Sequence, residues 1–296
     1  HIFEKYALAA YLISLALSTL VLFAGNAYNG SRRWLSLGPL SFQPSEFAKL
    51  AVILFLARMV GRQKKKRNSF LNLVFVIALV LPIVALVGTN NLSTAIIILG
   101  IAVIVVFVSD KRYMQFVWIA AAGAGMMALF LGMESYRLER IAIWKNPEAY
   151  EKGYQTIQGL YAIGSGGLFG RGFGESIQKL GFVPEAQNDM IFSIICEELG
   201  FVGATILMLV FLMLIWRFMV IAVHAPDLFG SLIAAGAMGH IAIQVILNVA
   251  VVTNTIPNTG ITLPFISYGG TSVLFLLSEM GLVLAVSRWQ SEKKCI

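Results

Sequence analysis

Long apolar stretches separated by short polar ones make up most of this chain. Runs with few charged residues recur at 6–25, 45–60, 70–88, 92–109, 114–132, 192–223, 229–252 and 268–286. Each approaches the ~20 residues that a helix needs to cross ~30 Å of hydrocarbon. None shows the alternation of period two that marks barrel strands. Unsatisfied backbone groups restrict membrane-spanning structure to helices and closed barrels. The pattern therefore predicts an all-α polytopic transmembrane bundle of about eight spans. Composition agrees, since 58% of the 296 residues are hydrophobic and 12% charged, with a mean hydropathy of +0.81. A soluble domain of this length could not bury so much apolar surface.

Charge sets the orientation. The densest basic segment, GRQKKKRNS at 61–69, predicts a cytoplasmic loop, because short Lys/Arg-rich loops stay inside and attract anionic lipid. Alternation from there places Asp110, Lys111, Arg112, Arg217 and the tail RWQSEKK inside as well. Three connections then fall outside: 26–44, 134–188 and 253–267. Residues 1–296 read as one integral membrane domain. The run at 6–25 is long for a signal-peptide core and lacks a small-residue cleavage site. The His1 start suggests a fragment or processed form that further helices precede. Cys196 in an apolar run and Cys295 at the tail do not suggest a disulfide. His1, His224 and His240 lie on separate segments without HExxH or CxxC, so no metal motif stands out. The segment GYQTIQGLYAIGSGGLFGRGFGES (153–176) has many glycines, but no GxxxxGK[ST] and no preceding strand. A nucleotide site is rejected. Short amphipathic helices and Gly turns lying on the outer surface are expected instead.

Positive charge on the disfavoured side points to chemistry. Arg32 and Arg33 have no acid close by in sequence, which favours an anionic ligand. In the long loop, Arg137, Arg140, Lys145, Lys152, Arg171 and Lys179 could meet such a ligand or pair with Glu134, Glu139, Glu148, Glu151 and Glu175. In SFQPSEFAKL, Ser45 reads as a helix N-cap with Glu46 in the first turn. Lys49 follows at i+3, where it can pair with Glu46. Together they form either a structural ion pair or part of a cavity wall. A forked guanidinium from Arg32 or Arg33, with Lys49 as a point charge, suits phosphate or pyrophosphate.

The stretch VPEAQNDMIF (183–192) places Asp189 where a polar loop meets an apolar run. Asn188 or Asp189 could simply cap the next helix. Alternatively, with Glu185 one turn's worth of chain before it, Asp189 could take a proton from a sugar hydroxyl as that oxygen attacks. His240, Gln244 and Asn248 form an i, i+4, i+8 stripe, expected to hydrogen-bond between helices or to mark a site. Glu197, Glu198 and Glu279 read as intramembrane carboxylates without an assigned role. The segment NTIPNTGITLPFISYGG (254–270) reads as irregular backbone that walls the outer site.

Four ordered stretches resemble the SEDS family of shape, elongation, division and sporulation proteins, which includes FtsW, RodA and SpoVE. They are NGSRRWLSLGPLSFQPSEFAKL, GYQTIQGLYAIGSGGLFGRGFGES, VPEAQNDMIFSIICEELGFVG and PNTGITLPFISYGGTS. The resemblance implies a peptidoglycan glycosyltransferase that polymerises lipid II at the outer face of a bacterial plasma membrane. It implies a class B penicillin-binding protein as partner, membrane lipid around the bundle and no nucleic acid. The family's catalytic aspartate falls on Asp189, with Met190 in place of the usual Phe. Its Arg-Trp and QPSE-xx-K elements fall on Arg33, Trp34, Gln43, Pro44, Ser45, Glu46 and Lys49, of which all but Pro44 are expected to bind substrate. Arg32, Arg140, Glu185 and Ser267 complete the expected substrate-binding set. A divalent cation, Mg2+ or Mn2+, is a possible cofactor. Family members usually have ten spans, so the first two are expected to be missing. The family's PDLGT motif appears as NNLST, with Asn91 where an acid is usual. The alternatives are a lipid II flippase and a non-catalytic scaffold for the transpeptidase.

Overall fold

The computed structural model describes residues 2–28, 31–37, 40–62, 70–109 and 135–294, with 117, 121 and 125 besides. Seven of the eight predicted runs coincide with helices among these residues: α1 (Ile2–Ala24), α2 (Pro44–Arg62), α3 (Phe70–Asn90), α4 (Leu92–Ser109), α7 (Ile191–His224), α8 (Leu228–Val252) and α9 (Gly270–Lys294). Two shorter helices, α5 (Ser135–Lys145) and α6 (Tyr154–Gly166), lie in the long connection. The predicted run 114–132 (117, 121 and 125 apart), the basic loop beyond Arg62, and Asp110, Lys111, Arg112 and Glu134 lie outside the described residues. Among the described helices, α1, α4, α7, α8 and the Gly270–Gln290 part of α9 are long and apolar enough to cross a membrane.

One element departs from the all-helical expectation. Residues 26–42, read as irregular loop, form a three-stranded antiparallel meander of β1 (Asn26–Tyr28), β2 (Ser31–Leu37) and β3 (Leu40–Phe42). Trp34 stands opposite Asn26, and Leu35 opposite Phe42. Strand pairing satisfies backbone groups of a short connection that no helix could satisfy, and Leu35 is buried.

The described chain forms two compact units. The first comprises 1–117, 215–243 and 270–296; the second comprises 118–214 and 244–269. In the first unit α2 packs against α1, α4 and α9. It is buried at every position from Ala48 to Ala57, as a helix apolar on all sides should be. Small residues let neighbours approach: a Cβ at Gly236 would meet Ile53 at 2.9 Å, and one at Gly239 would meet Ile104 at 2.7 Å. Tyr11 of α1 stacks on Phe55 of α2 with ring centroids 4.2 Å apart. Its hydroxyl donates to the carbonyl of Leu79 in α3. In the second unit a core of Ala162, Val183, Met190, Phe192, Ile261 and Leu263 is closed to solvent. The methyl end of Met190 lies where a Cβ at Gly159 would be only 2.3 Å away.

Tyr11→Ala removes both a ring stack and a hydrogen-bond donor from the first unit. The expected cost is roughly 3–5 kcal/mol, as for other large-to-small aromatic truncations, read as a lowered Tm in detergent. Tyr11→Phe keeps the stack and is expected to recover most of the loss.

Candidate functional site

The turn that delivers Asp189 is built from its own backbone. Val183 N–H donates to the Gln178 carbonyl (2.9 Å), and the N–H groups of Asn188 (2.9 Å) and Met190 (3.5 Å) donate to Glu185 O. Glu185 adopts a left-handed conformation (φ 54) to close this turn, and its carboxylate accepts from the Asn188 side chain. The start of α7 is capped by Met190, whose carbonyl accepts from the Ser193 N–H (3.0 Å) and hydroxyl (2.7 Å). The simple capping role for Asp189 is thereby replaced. Its carboxylate accepts from Gln155 Nε2 of α6 at 3.4 Å. On its other side lies Gly260, where a Cβ would stand 3.6 Å from Oδ2.

The neighbouring segments are pinned to this turn. Asn248 Nδ2 donates to the backbone carbonyls of Asp189 (2.8 Å) and Ile261 (2.7 Å). The Ser267 hydroxyl donates to Asn188 O at 2.6 Å, and Tyr268 N–H to Gln187 O at 2.8 Å. Gln155 also donates to Pro184 O (3.3 Å) and accepts from Asn258 Nδ2 (3.3 Å). Arg140 Nη1 donates to Asn258 O (3.0 Å), and Trp144 Nε1 to Asn254 O (2.9 Å). The irregular segment 254–268 thus walls the Asp189 turn.

Asp189 is only 8% exposed. Burial pushes its carboxyl up to about 6, and the negative charge of Glu185 adds to that rise. Its own backbone N–H, the Arg140 charge and the Gln155 hydrogen bond pull the other way. Such a group is half ionised near pH 6 and mostly anionic at neutral pH, which suits a general base.

The remaining expected residues belong to the first unit. Arg32 Nη1 donates to the carbonyls of Leu22 (3.3 Å) and Phe23 (3.5 Å) at the end of α1. Arg33 Nε donates to Asn90 O at the end of α3 (2.9 Å). Both cations therefore meet helix C-termini, where carbonyls and the helix dipole favour positive charge. Sequence distance from any acid did not reveal that partnership. Arg32, Arg33, Ser45, Ser18, Asn90 and Asn91 help line one cavity, with ≈ 20 Å³ open to a water-sized group. That admits a single water, not a sugar. Gln43 rather than Ser45 begins α2: its carbonyl accepts the Glu46 N–H at 3.1 Å, and Pro44 takes the first helical position. Glu46 and Lys49 form a buried ion pair at 2.9 Å. His240 meets Glu279 at 2.8 Å, both buried, and Gln244 Nε2 donates to Thr262 O in the second unit (3.0 Å). Among the described residues no cluster of three or more His, Cys, Asp or Glu side chains could hold a metal.

Sequence reasoning missed Gln155 and Asn258, and saw Asn248 only as part of a stripe. Gln155 lies inside the GYQTIQ stretch, but nothing in its spacing pairs it with a residue 34 positions later.

The family of FtsW, RodA and SpoVE, described as cell cycle proteins, matches residues 1–292. Stage V sporulation protein E of Bacillus subtilis (strain 168) is 44% identical over 275 residues, which is 90% of this chain and 74% of that protein. A probable peptidoglycan glycosyltransferase FtsW of Geobacter sp. (strain M18) is 34% identical over 298 residues, 97% of this chain and 80% of that protein. Among solved structures, a chain from a peptidoglycan synthase complex, studied for the coordination of polymerization and crosslinking, superposes with a TM-score of 0.79. Its identity is 31%, covering 97% of this chain and 82% of that one. The rod shape determining protein RodA of Thermus thermophilus superposes with a TM-score of 0.69 at 32% identity, covering 96% and 78%.

Asn91 Oδ1 accepts the Thr94 N–H at 3.1 Å, which caps α4. Asn91→Ala should cost about 1 kcal/mol, as cap removals typically do. Asn91→Asp should hold or raise stability, because an anion at that helix start is favoured. Thermal melts of the two variants beside wild type check both signs.

Proposed function

The chain belongs to the FtsW, RodA and SpoVE family, and from that premise we propose that it is a peptidoglycan glycosyltransferase polymerising lipid II at the outer face of the plasma membrane. The observation that carries the reading is the Asp189 carboxyl: buried, oriented by Gln155 (3.4 Å) and pushed up to about 6. A base of that strength takes the proton from the 4-hydroxyl of the acceptor's GlcNAc as its oxygen attacks the anomeric carbon of the donor's MurNAc. The C–O bond to the donor's pyrophosphate breaks, and undecaprenyl pyrophosphate leaves. Arg140, Glu185 and Ser267 hold the walls and charge around that base. The other residues expected to bind substrate, Arg32, Arg33, Trp34, Gln43, Ser45, Glu46 and Lys49, stand in the first unit, where Arg32 and Arg33 meet helix-end carbonyls and Lys49 pairs with Glu46. A part for these cations in meeting leaving-group charge is an expectation of the family resemblance.

Glu185 and Asp189, whose charges act on one another, would be the residues to hold a Mg2+ or Mn2+ ion, mainly through substrate phosphates, and such an ion would supply positive charge against the leaving group. The partner in this reading is a class B penicillin-binding protein that cross-links the product, supported by the likeness to a chain of a peptidoglycan synthase complex. The outer placement of the site rests on the basic segment 61–69 being cytoplasmic.

Asp189→Asn, purified with its partner and given labelled lipid II, should make no glycan strands; polymer at the wild-type rate would refute the assignment. In wild type the rate should fall on the acid side with a midpoint near pH 6, as Asp189 takes up a proton. Gln155→Leu removes a hydrogen bond that favours the anion, so its acid limb should move to higher pH. Glu185→Gln removes a repelling charge, so its limb should move to lower pH. Rate–pH profiles of the three proteins test the directions.

A further inference from the structure

We propose that residues 167–182 form a wedge seated among the lipids of the leaflet on the Asp189 side, with Phe169 and Phe173 directed toward acyl chains. The wedge stands independently of the catalytic reading.

The segment is inside-out by the standard of a water-facing loop. Phe173 is 88% exposed and Phe169 80%, and Leu168 and Leu180 are exposed too. Its cations are instead turned back onto α7: Lys179 Nζ meets Glu198 at 2.6 Å, and Arg171 Nε meets the buried Glu197 at 3.6 Å. Glu175 is the exception. A solvated loop would show the opposite distribution, charge outward and rings inward.

Its backbone is closed off in the way that irregular chain near hydrocarbon requires. Arg171 and Gly172 N–H donate to the carbonyls of Glu197 (2.9 Å) and Glu198 (3.0 Å). Gly174 N–H donates to the Glu198 carboxylate (3.0 Å). The two carboxylate oxygens of Glu197 accept from the N–H groups of Ile177 (3.3 Å) and Gln178 (3.2 Å), with the Ser176 hydroxyl added. Lys179 N–H goes to the Ser176 hydroxyl, and Leu180 N–H to Ile177 O. Glu197 and Glu198, which the sequence left without a role, are the acceptors that satisfy this loop.

Position singles out lipid as the occupant. Phe201 and Val202 N–H donate to the carbonyls of Gly167 (2.9 Å) and Leu168 (3.0 Å), so the segment is strapped to α7 at its kink. The kink is Gly200 (φ 67), where a Cβ would stand 2.3 Å from Gly170 N. Residues 201–224 follow it in α7, enough by themselves for the ~20 that a span needs. The kink therefore marks the edge of the hydrocarbon. The exposed apolar residues Phe201, Ile206 and Leu209 of α7 follow directly on the point where Phe201 and Val202 are bonded to Gly167 and Leu168. A peripheral apolar surface continuous with a lipid-facing helix is an interfacial anchor.

The test places a nitroxide at Phe173→Cys in a Cys196→Ala, Cys295→Ser background. The full chain is reconstituted in phosphatidylethanolamine–phosphatidylglycerol nanodiscs, and collision rates with oxygen and a water-soluble nickel chelate are read by power saturation. Leu209→Cys serves as the lipid reference and Glu175→Cys as the aqueous one. Oxygen should prevail at position 173, at a depth shallower than Leu209. A label dominated by the nickel chelate, or shielded from both reagents by protein, would overturn the wedge. If Phe173→Cys fails to fold, Leu180→Cys reads the same surface and the same outcomes apply.

Discussion

A low-dielectric surrounding tolerates neither an unpaired backbone group nor a lone charge, and much of this architecture answers that demand. Asn248 reaches two carbonyls from within a helix, Ser267 and Tyr268 bind the turn ahead of α7, and Glu197 accepts from a loop that no helix could satisfy. Without these polar bridges the segments 167–190 and 254–268 could not lie beside an apolar helix. With them, irregular chain is held firmly enough to present one carboxylate.

That carboxylate is balanced rather than simply buried. Desolvation and Glu185 favour its proton; Gln155 and Arg140 favour its loss. The residues on the two sides of this balance come from three separate stretches of chain, so the basicity of Asp189 belongs to the assembled fold and not to the VPEAQNDMIF stretch alone.

The helices were legible because apolar runs of the right length leave few alternatives in lipid. The bounds of 92–109 match α4, and those of 229–252 fall within one residue of α8. The meander at 26–42 was not legible: its strands are short, and its register depends on Arg32 and Trp34 finding partners across the turn. Asp189 stood out through its position at a polar–apolar junction. Gln155 did not, because an amide on an amphipathic helix looks the same whether it faces water or a carboxylate. The arginine pair pointed to an anion for want of an acid nearby, while sequence cannot display the partners it meets, the carbonyls at the ends of α1 and α3.

Those two helix ends carry a consequence. Because Arg33 is committed to the carbonyl of Asn90, an anion that draws the guanidinium toward itself competes with the last turn of α3. Displacement of Arg33 and fraying of a helix terminus then become two readings of one equilibrium, and the next residue, Asn91, which starts α4, sits where the change would be passed on.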